Sequence, residues 1–185
     1  MENLKVIRHP FGGERYENVV GYPIKGDALI VKGYGVSPYD KAAAVQQMKS
    51  VAEYFNNESF NAIAHTIIAY SSEAAPTPQR AIELTEKILG HITNEHQAIT
   101  AVHCKERENA AYHTHTIINA TNYKTGRIFH GDNSDLFPIA IGITEVTGND
   151  CLLTITKEVE KTDENGNVKT EYQDTYVRRF NAKKK

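Results

Sequence analysis

Two neighbouring segments with the pattern of β-strands constrain the fold of this chain more than any other feature. The first, residues 97–103, is rich in small and β-branched side chains. The second, residues 112–119, alternates polar and β-branched or apolar residues and carries two histidines separated by one residue. The residues between them, 104–109, are polar and indicate a loop. The pattern predicts a pair of antiparallel strands joined by that loop.

Three histidines are expected to meet on one face of this strand pair. Side chains two residues apart on a strand leave the same face, so His113 and His115 point together. His103 ends the first strand close to where the second begins, which places a third imidazole beside them. Neutral imidazole binds divalent transition-metal ions, and three protein ligands with an open position are typical of a catalytic metal site. A His-X-His pair alone is more often an ordinary polar strand face, and it is the third histidine that favours a site.

Length and composition favour one soluble globular domain. A chain of 185 residues with 40% hydrophobic residues and no long apolar run can bury one core, so a single domain over residues 1–185 is expected. Two cysteines are too few for a disulfide framework, and residues 1–8 contain no apolar segment of a secretory signal. These features predict a cytoplasmic protein without a membrane segment.

The order of elements predicts an α+β fold with a mainly antiparallel central sheet and flanking helices. Serine, threonine or aspartate N-caps, two of them followed by proline, indicate helix starts at Ser37, Thr77 and Asp132. Helices are expected over residues 14–22, 37–56, 77–91 and 132–149, and further strands over 27–35 and 60–70. Residues 151–178 are predicted to form a C-terminal β-hairpin with its turn at 163–167.

The net charge of −2 argues against a protein that coats DNA, because phosphate neutralisation requires a basic surface. An enzyme that acts on one defined strand needs only a local basic surface. The candidate DNA-binding residues are Lys25, Lys32, Lys124 and Arg127.

The histidine pattern resembles a known motif. His103, followed by His113-Thr114-His115 and then by Asn119 four residues later, is similar to the metal motif of relaxases. Relaxases are the DNA-nicking mobilisation nucleases of the HUH endonuclease superfamily. The resemblance runs from about residue 16 to residue 130, and residues 151–178 lie outside it. It implies an HUH-endonuclease-like fold and a divalent ion (Mn, Mg or Zn) held by the three histidines.

The chain departs from the family pattern at one position. Many relatives carry an acidic residue two positions after the first histidine of the motif, where this chain has Lys105. Glu106 is the neighbouring acid that would have to replace it as a partner of the ligands. The resemblance also implies that Asn119 helps to position the site.

The resemblance implies a tyrosine nucleophile that becomes linked to the 5′ phosphate of a cut DNA strand. In relaxases this tyrosine precedes the histidine motif, and the matching residue here is Tyr22, with Tyr16 and Tyr34 as alternatives. Phenols ionise with a pKa of about 10, so the nucleophile needs help at neutral pH. Replication initiators of the same superfamily place tyrosines after the motif, as Tyr172 and Tyr176 are placed, but a structural role in the hairpin is expected for that pair.

Two main functions remain open at this stage. The first is metal-dependent, strand-specific nicking and transesterification of single-stranded DNA at an origin of transfer, together with accessory mobilisation proteins. The second is a non-catalytic protein on the same scaffold that binds DNA or a partner. A more remote third is a metal-dependent hydrolase of small phosphoesters.

Overall fold

The computed structural model describes residues 1–10, 13–24, 26–58, 61–104, 112–162 and 168–183. Within this part of the chain, one seven-stranded sheet forms the centre of the molecule. The strands are β1 (Glu2–Pro10), β2 (Ile30–Tyr34), β3 (Asn61–Ala69), β4 (His96–Cys104), β5 (Tyr112–Asn122), β6 (Cys151–Thr162) and β7 (Val168–Phe180). Their order is β2-β4-β5-β3-β1-β6-β7, and only the β1–β6 pair among them is parallel. The predicted α+β class with a mainly antiparallel sheet is confirmed.

Four helices of the described chain flank the sheet. They are α1 (Gly13–Gly21), α2 (Lys41–Tyr54), α3 (Pro78–Thr93) and α4 (Asn133–Thr147), and a 3-10 turn over Tyr22–Ile24 follows α1. The caps at Thr77 and Asp132 lie where the sequence predicts them. The start of α2 does not, because Asp40 rather than Ser37 is its N-cap. The Asp40 carboxylate accepts hydrogen bonds from the backbone N–H groups of Ala42 and Ala43, so the helix begins after it.

The sheet has a covered core on each face. On one face, α3 and α4 pack against residues such as Leu4, Ile68 and Ile118. On the other, α1 and α2 pack against Ile63 and Ile117. Because strand side chains alternate, every strand residue belongs to one of these two faces.

Strand β1 is the element that the sequence did not reveal. It lies inside the sheet, antiparallel to β3 and parallel to β6, with Leu4 and Val6 fully buried. Its partner β6 begins at Cys151, so the pairing depends on contacts far apart in the chain rather than on a local pattern. In this way β1 joins the β6–β7 pair to the predicted domain.

Strands β6 and β7 pair antiparallel from Cys151↔Phe180 to Thr162↔Val168. The predicted turn at residues 163–167 lies outside the described residues. No helix of the described chain has the length and apolar character that crossing a membrane requires.

Candidate metal centre

The register of β4 on β5 brings three histidine rings together. His103 lies directly opposite His113, and His115 follows two residues later on the same face. The ring centres of His103 and His113 are 5.7 Å apart, and each is 5.1 Å from the ring centre of His115. The three rings therefore form a nearly equilateral triangle at the ends of the two strands.

A fourth histidine, His65 on β3, supports this triangle from the side. Its Nε2 atom lies 2.8 Å from Nδ1 of His115, and both side chains are buried. This contact occupies one nitrogen of His115 and leaves the other, Nε2, for a ligand. A histidine inside an apolar strand predicts a buried, hydrogen-bonded side chain at position 65, and the structure identifies its partner as His115.

Burial keeps the rings of His115 and His65 neutral. Desolvation, and then the neighbouring His113 and His103 rings, lower the pKa of His115 to about 3. Desolvation also lowers the pKa of His65 well below its usual value, with His115 and His9 adding to the effect. A neutral imidazole has the free lone pair that metal coordination requires, so both rings are in the correct protonation state at neutral pH.

The spacing of the three rings fits a shared ion. An imidazole nitrogen about 2.1 Å from an ion places the ring centre about 3.2 Å away, so two such rings at a tetrahedral angle have centres about 5.2 Å apart. The observed separations are 5.1 to 5.7 Å. His103 Nε2 is also buried without a hydrogen-bond partner among the described residues, as an unused ligand atom would be.

The histidines do not form a complete metal site as they stand. Among the described residues, no three histidine, cysteine, aspartate or glutamate side chains are arranged to hold a metal ion. The ring centres are spaced for a shared ion, but the side chains do not yet form a ligand set.

An acidic side chain lies on the outer side of His103. Asp27 Oδ2 is 3.7 Å from His103 Nδ1, and the Asp27 side chain is 78% exposed. The backbone N–H of Leu29 donates to the Val102 carbonyl, and this bond holds the segment before β2 beside the end of β4. No local signal in the sequence links position 27 to position 103.

Tyr22 lies against His115, one corner of the histidine triangle. Its ring centre is 4.8 Å from that of His115, 6.2 Å from His103 and 5.8 Å from His65. The tyrosine starts the 3-10 turn immediately after α1, and its side chain remains 36% exposed. A residue at a helix end thus reaches the histidine face while staying accessible.

The alternative tyrosines lie elsewhere. Tyr16, a residue of α1, is 1% exposed in the core between the sheet and helices α1 and α2, where burial raises its pKa. Tyr34 lies on the opposite face of the sheet and donates a hydrogen bond to Glu86 of α3. Tyr176 also lies on that opposite face, against Phe137 of α4, and Tyr172 is exposed on β7.

The structure does not bring the described basic candidates to the histidines. Lys32 Nζ lies 2.8 Å from Glu86 Oε1, on the α3 face of the sheet. Lys124 and Arg127 follow β5, whose last residue is about 30 Å along the strand from His113. Lys25 lies outside the described residues, as do Lys105 and Glu106.

Lys5 is a basic residue on the histidine face that the sequence did not single out. It pairs with Ile67 of β3, which in turn pairs with His115, so the three side chains lie in one row on one face. Two strand spacings separate the Lys5 and His115 backbones by about 10 Å. Lys5 Nζ lies 3.9 Å from Asp174 Oδ1 of β7.

Asn119 lies on the histidine face but about 13 Å along β5 from His115. Its side-chain amide donates to the Met48 carbonyl and to Gln97 Oε1, and it is fully buried. These contacts tie α2 to the sheet.

Comparison with known proteins identifies the family of this chain. A family model described as "Relaxase: MobA/VirD2-like, nuclease domain" matches residues 23–145, which is more than half of the chain. A search of curated proteins found no match, and a search of solved structures found none either. The matched segment contains all three rings of the triangle together with His65 and Asp27. The family supports a general role in DNA nicking during mobilisation and the binding of single-stranded DNA. Because this model covers more than half of it, the chain belongs to the relaxases, in the group with a MobA/VirD2-like nuclease domain.

Proposed function

We propose that this domain cuts one DNA strand by attack of the Tyr22 hydroxyl oxygen on a phosphodiester, during mobilisation of a plasmid or integrative element. The observation that carries the proposal is the position of Tyr22. Its ring lies 4.8 Å from that of His115, over the histidine face, and about a third of the side chain is exposed to an incoming strand.

The proposed reaction is a transesterification. A bond forms between the tyrosine oxygen and phosphorus, and the bond from phosphorus to the 3′ oxygen breaks. The phenolic proton is released, and the departing 3′ oxygen takes up a proton. The 5′ phosphate stays on Tyr22, so the energy of the phosphodiester is retained and the reverse reaction can rejoin a strand.

His103, His113 and His115 are the proposed ligands of a divalent ion, which supplies positive charge to the scissile phosphate when bound. His65 positions His115 through the Nε2–Nδ1 contact. A ligating histidine usually donates its second N–H to such a partner, so His115 Nδ1–H would donate to His65. The buried surroundings of His65 keep that ring neutral and able to accept the bond.

The proposed substrate is a single strand at an origin of transfer. Among the described residues, Lys5 on the histidine face is the proposed basic contact to this strand. Contacts from Lys25, Lys32, Lys124 and Arg127, and the participation of accessory mobilisation proteins, remain predictions from the sequence.

The test is covalent capture on a denaturing gel. Single-stranded oligonucleotides that tile the DNA flanking the gene are labelled at the 3′ end, since the 5′-phosphate fragment stays on the protein. They are incubated with Mn²⁺ or Mg²⁺ and the wild type, Tyr22→Phe or Tyr54→Phe. We expect a labelled protein band for the wild type and for Tyr54→Phe, whose tyrosine is exposed on α2. An adduct of wild-type intensity with Tyr22→Phe would show that the nucleophile is another residue.

The alternative is a non-catalytic DNA- or partner-binding protein on the relaxase scaffold. Two observations favour it: the family match begins at residue 23, one residue after Tyr22, and no three described histidine, cysteine, aspartate or glutamate side chains are arranged to hold a metal ion. Binding of the oligonucleotides by the wild type without an adduct at any metal concentration would support this alternative.

A further inference from the structure

The two nitrogen atoms of His103 lie in different environments. Nε2 is buried and has no hydrogen-bond partner among the described residues. Nδ1 lies 3.7 Å from the Asp27 carboxylate, at the surface. A carboxylate favours the tautomer that presents an N–H to it, and this tautomer leaves the lone pair on Nε2.

We infer that Asp27 is a positioning residue that holds His103 in the Nδ1–H tautomer and so leaves the Nε2 lone pair for the metal site. The inference rests on the proposed metal function. Many relatives have an acidic residue at the position of Lys105. In this chain, Asp27 in the segment before β2 would take its place as the acidic partner of the ligands.

The backbone geometry supports this assignment. β2 pairs with β4 in a fixed antiparallel register in which Ile30 lies opposite Val102. The added bond from Leu29 N–H to the Val102 carbonyl, 2.8 Å long, extends this pairing towards Asp27. Main-chain hydrogen bonds therefore fix the backbone two residues after Asp27 beside the end of β4.

The distance between the Asp27 carboxylate and the His103 ring limits the kind of contact that Asp27 can make. At 3.7 Å the contact is longer than a direct hydrogen bond, so the carboxylate acts through its charge or through one bridging water. Its negative charge also acts on His115, where it opposes the fall of the pKa that burial causes. Removal of this carboxylate should change the His103 tautomer without disturbing the core, because the side chain is mostly exposed.

The test compares Asp27→Asn, Asp27→Glu and the matched control Glu145→Gln, which removes an exposed carboxylate from α4 on the opposite face of the sheet. The first readout is the His103 tautomer in the metal-free protein, from long-range proton–nitrogen correlation spectra assigned with a His103→Gln variant. The second is the dissociation constant of Mn²⁺ alone, measured by calorimetry.

We expect Asp27→Asn to move His103 out of the Nδ1–H form and to weaken Mn²⁺ binding about tenfold. Asp27→Glu should recover most of both properties, and Glu145→Gln should change neither. An unchanged His103 tautomer in Asp27→Asn overturns the inference whatever the affinity, and so does an equal loss of affinity in Glu145→Gln. If the wild type binds no Mn²⁺, the proposed metal function fails, while the tautomer still decides the role of Asp27.

Discussion

His65 Nε2 and His115 Nδ1 lie 2.8 Å apart in the interior of the sheet, and this contact links β3 to the strand that carries two of the proposed ligands. One ring must donate and the other accept, since both are neutral. A ligating role for His115 requires Nδ1 to be its donor, so that Nε2 carries the lone pair. His65 thus determines which nitrogen of His115 can bind a metal.

Removal of this hydrogen bond should weaken metal binding while the ligands remain. His65→Phe keeps a ring of similar size but accepts no hydrogen bond, and we expect about a tenfold rise in the Mn²⁺ dissociation constant. The control is His96→Phe, which removes a buried histidine that contacts the Asn119 carbonyl from the other face of the sheet. Calorimetry on folded protein should show unchanged affinity for the control, and equal affinity for both variants would contradict the role of His65.

The proposed ligands themselves should be more sensitive. His113 is only half-buried at the start of β5, so His113→Ala should leave the fold intact while removing one of three ligands. We expect at least a hundredfold loss of Mn²⁺ affinity and no detectable DNA adduct. Thermal unfolding without metal is the check on folding, and wild-type affinity in this variant would remove His113 from the site.

The stability of the metal-free protein should depend on pH through the buried histidines. The pKa of His115 is about 3 in the folded protein, against a usual value of 6.5, so the unfolded chain binds more protons between these values. The free energy of unfolding should therefore be highest above pH 6.5 and decrease as the pH falls towards 3. Each such histidine contributes a slope of up to about 1.4 kcal/mol per pH unit.

Urea unfolding in EDTA at four pH values between 7.5 and 4.5 measures this slope. His115→Gln should reduce it, and His91→Gln, at an exposed position on α3, should not. Identical slopes for all three proteins would show that His115 is not the titrating group.

Asn119 should be a stabilising residue rather than a ligand partner. Asn119→Ala removes the bonds to the Met48 carbonyl and to Gln97, which should cost about 1–3 kcal/mol of unfolding free energy because buried polar groups lose their partners. The Mn²⁺ dissociation constant should stay unchanged. A variant of wild-type stability with weakened metal binding would restore the position-determining role implied by the family pattern.

Lys5 should contribute more to DNA binding than the basic residues on the other surfaces. Lys5→Gln should weaken binding of a short oligonucleotide and lower the slope of log affinity against log salt by about 0.7, the value for one phosphate contact on a single strand. Lys32→Gln, whose lysine is paired with Glu86 on the α3 face, is the control. Fluorescence anisotropy from 50 to 200 mM salt gives both slopes, and a larger effect of Lys32→Gln would place the DNA on the opposite face.

Local sequence determined the features that depend on near neighbours. The alternation in residues 112–119 put His113 and His115 on one face, and the polar loop placed His103 opposite them, because strand pairing across one connection is set by the hydrophobic pattern. Capping chemistry located the starts of α3 and α4 in the same way. The helix expected over residues 14–22 ends at Gly21 in the structure, directly before the Tyr22–Ile24 turn that contains Pro23.

Tertiary structure alone decided which distant residues join the site. His65 reaches His115 because β3 pairs with β5, and Asp27 reaches His103 because β2 pairs with β4. The same registers decide on which face of the sheet Lys5 and Lys32 lie. They put Lys5 beside the histidines and Lys32 beneath α3. Pairing between strands far apart in the chain is selected by the total burial of both sheet faces, and a one-residue shift would reverse every side chain. No local pattern contains that information, so the supporting residues of the site became identifiable only in the folded sheet.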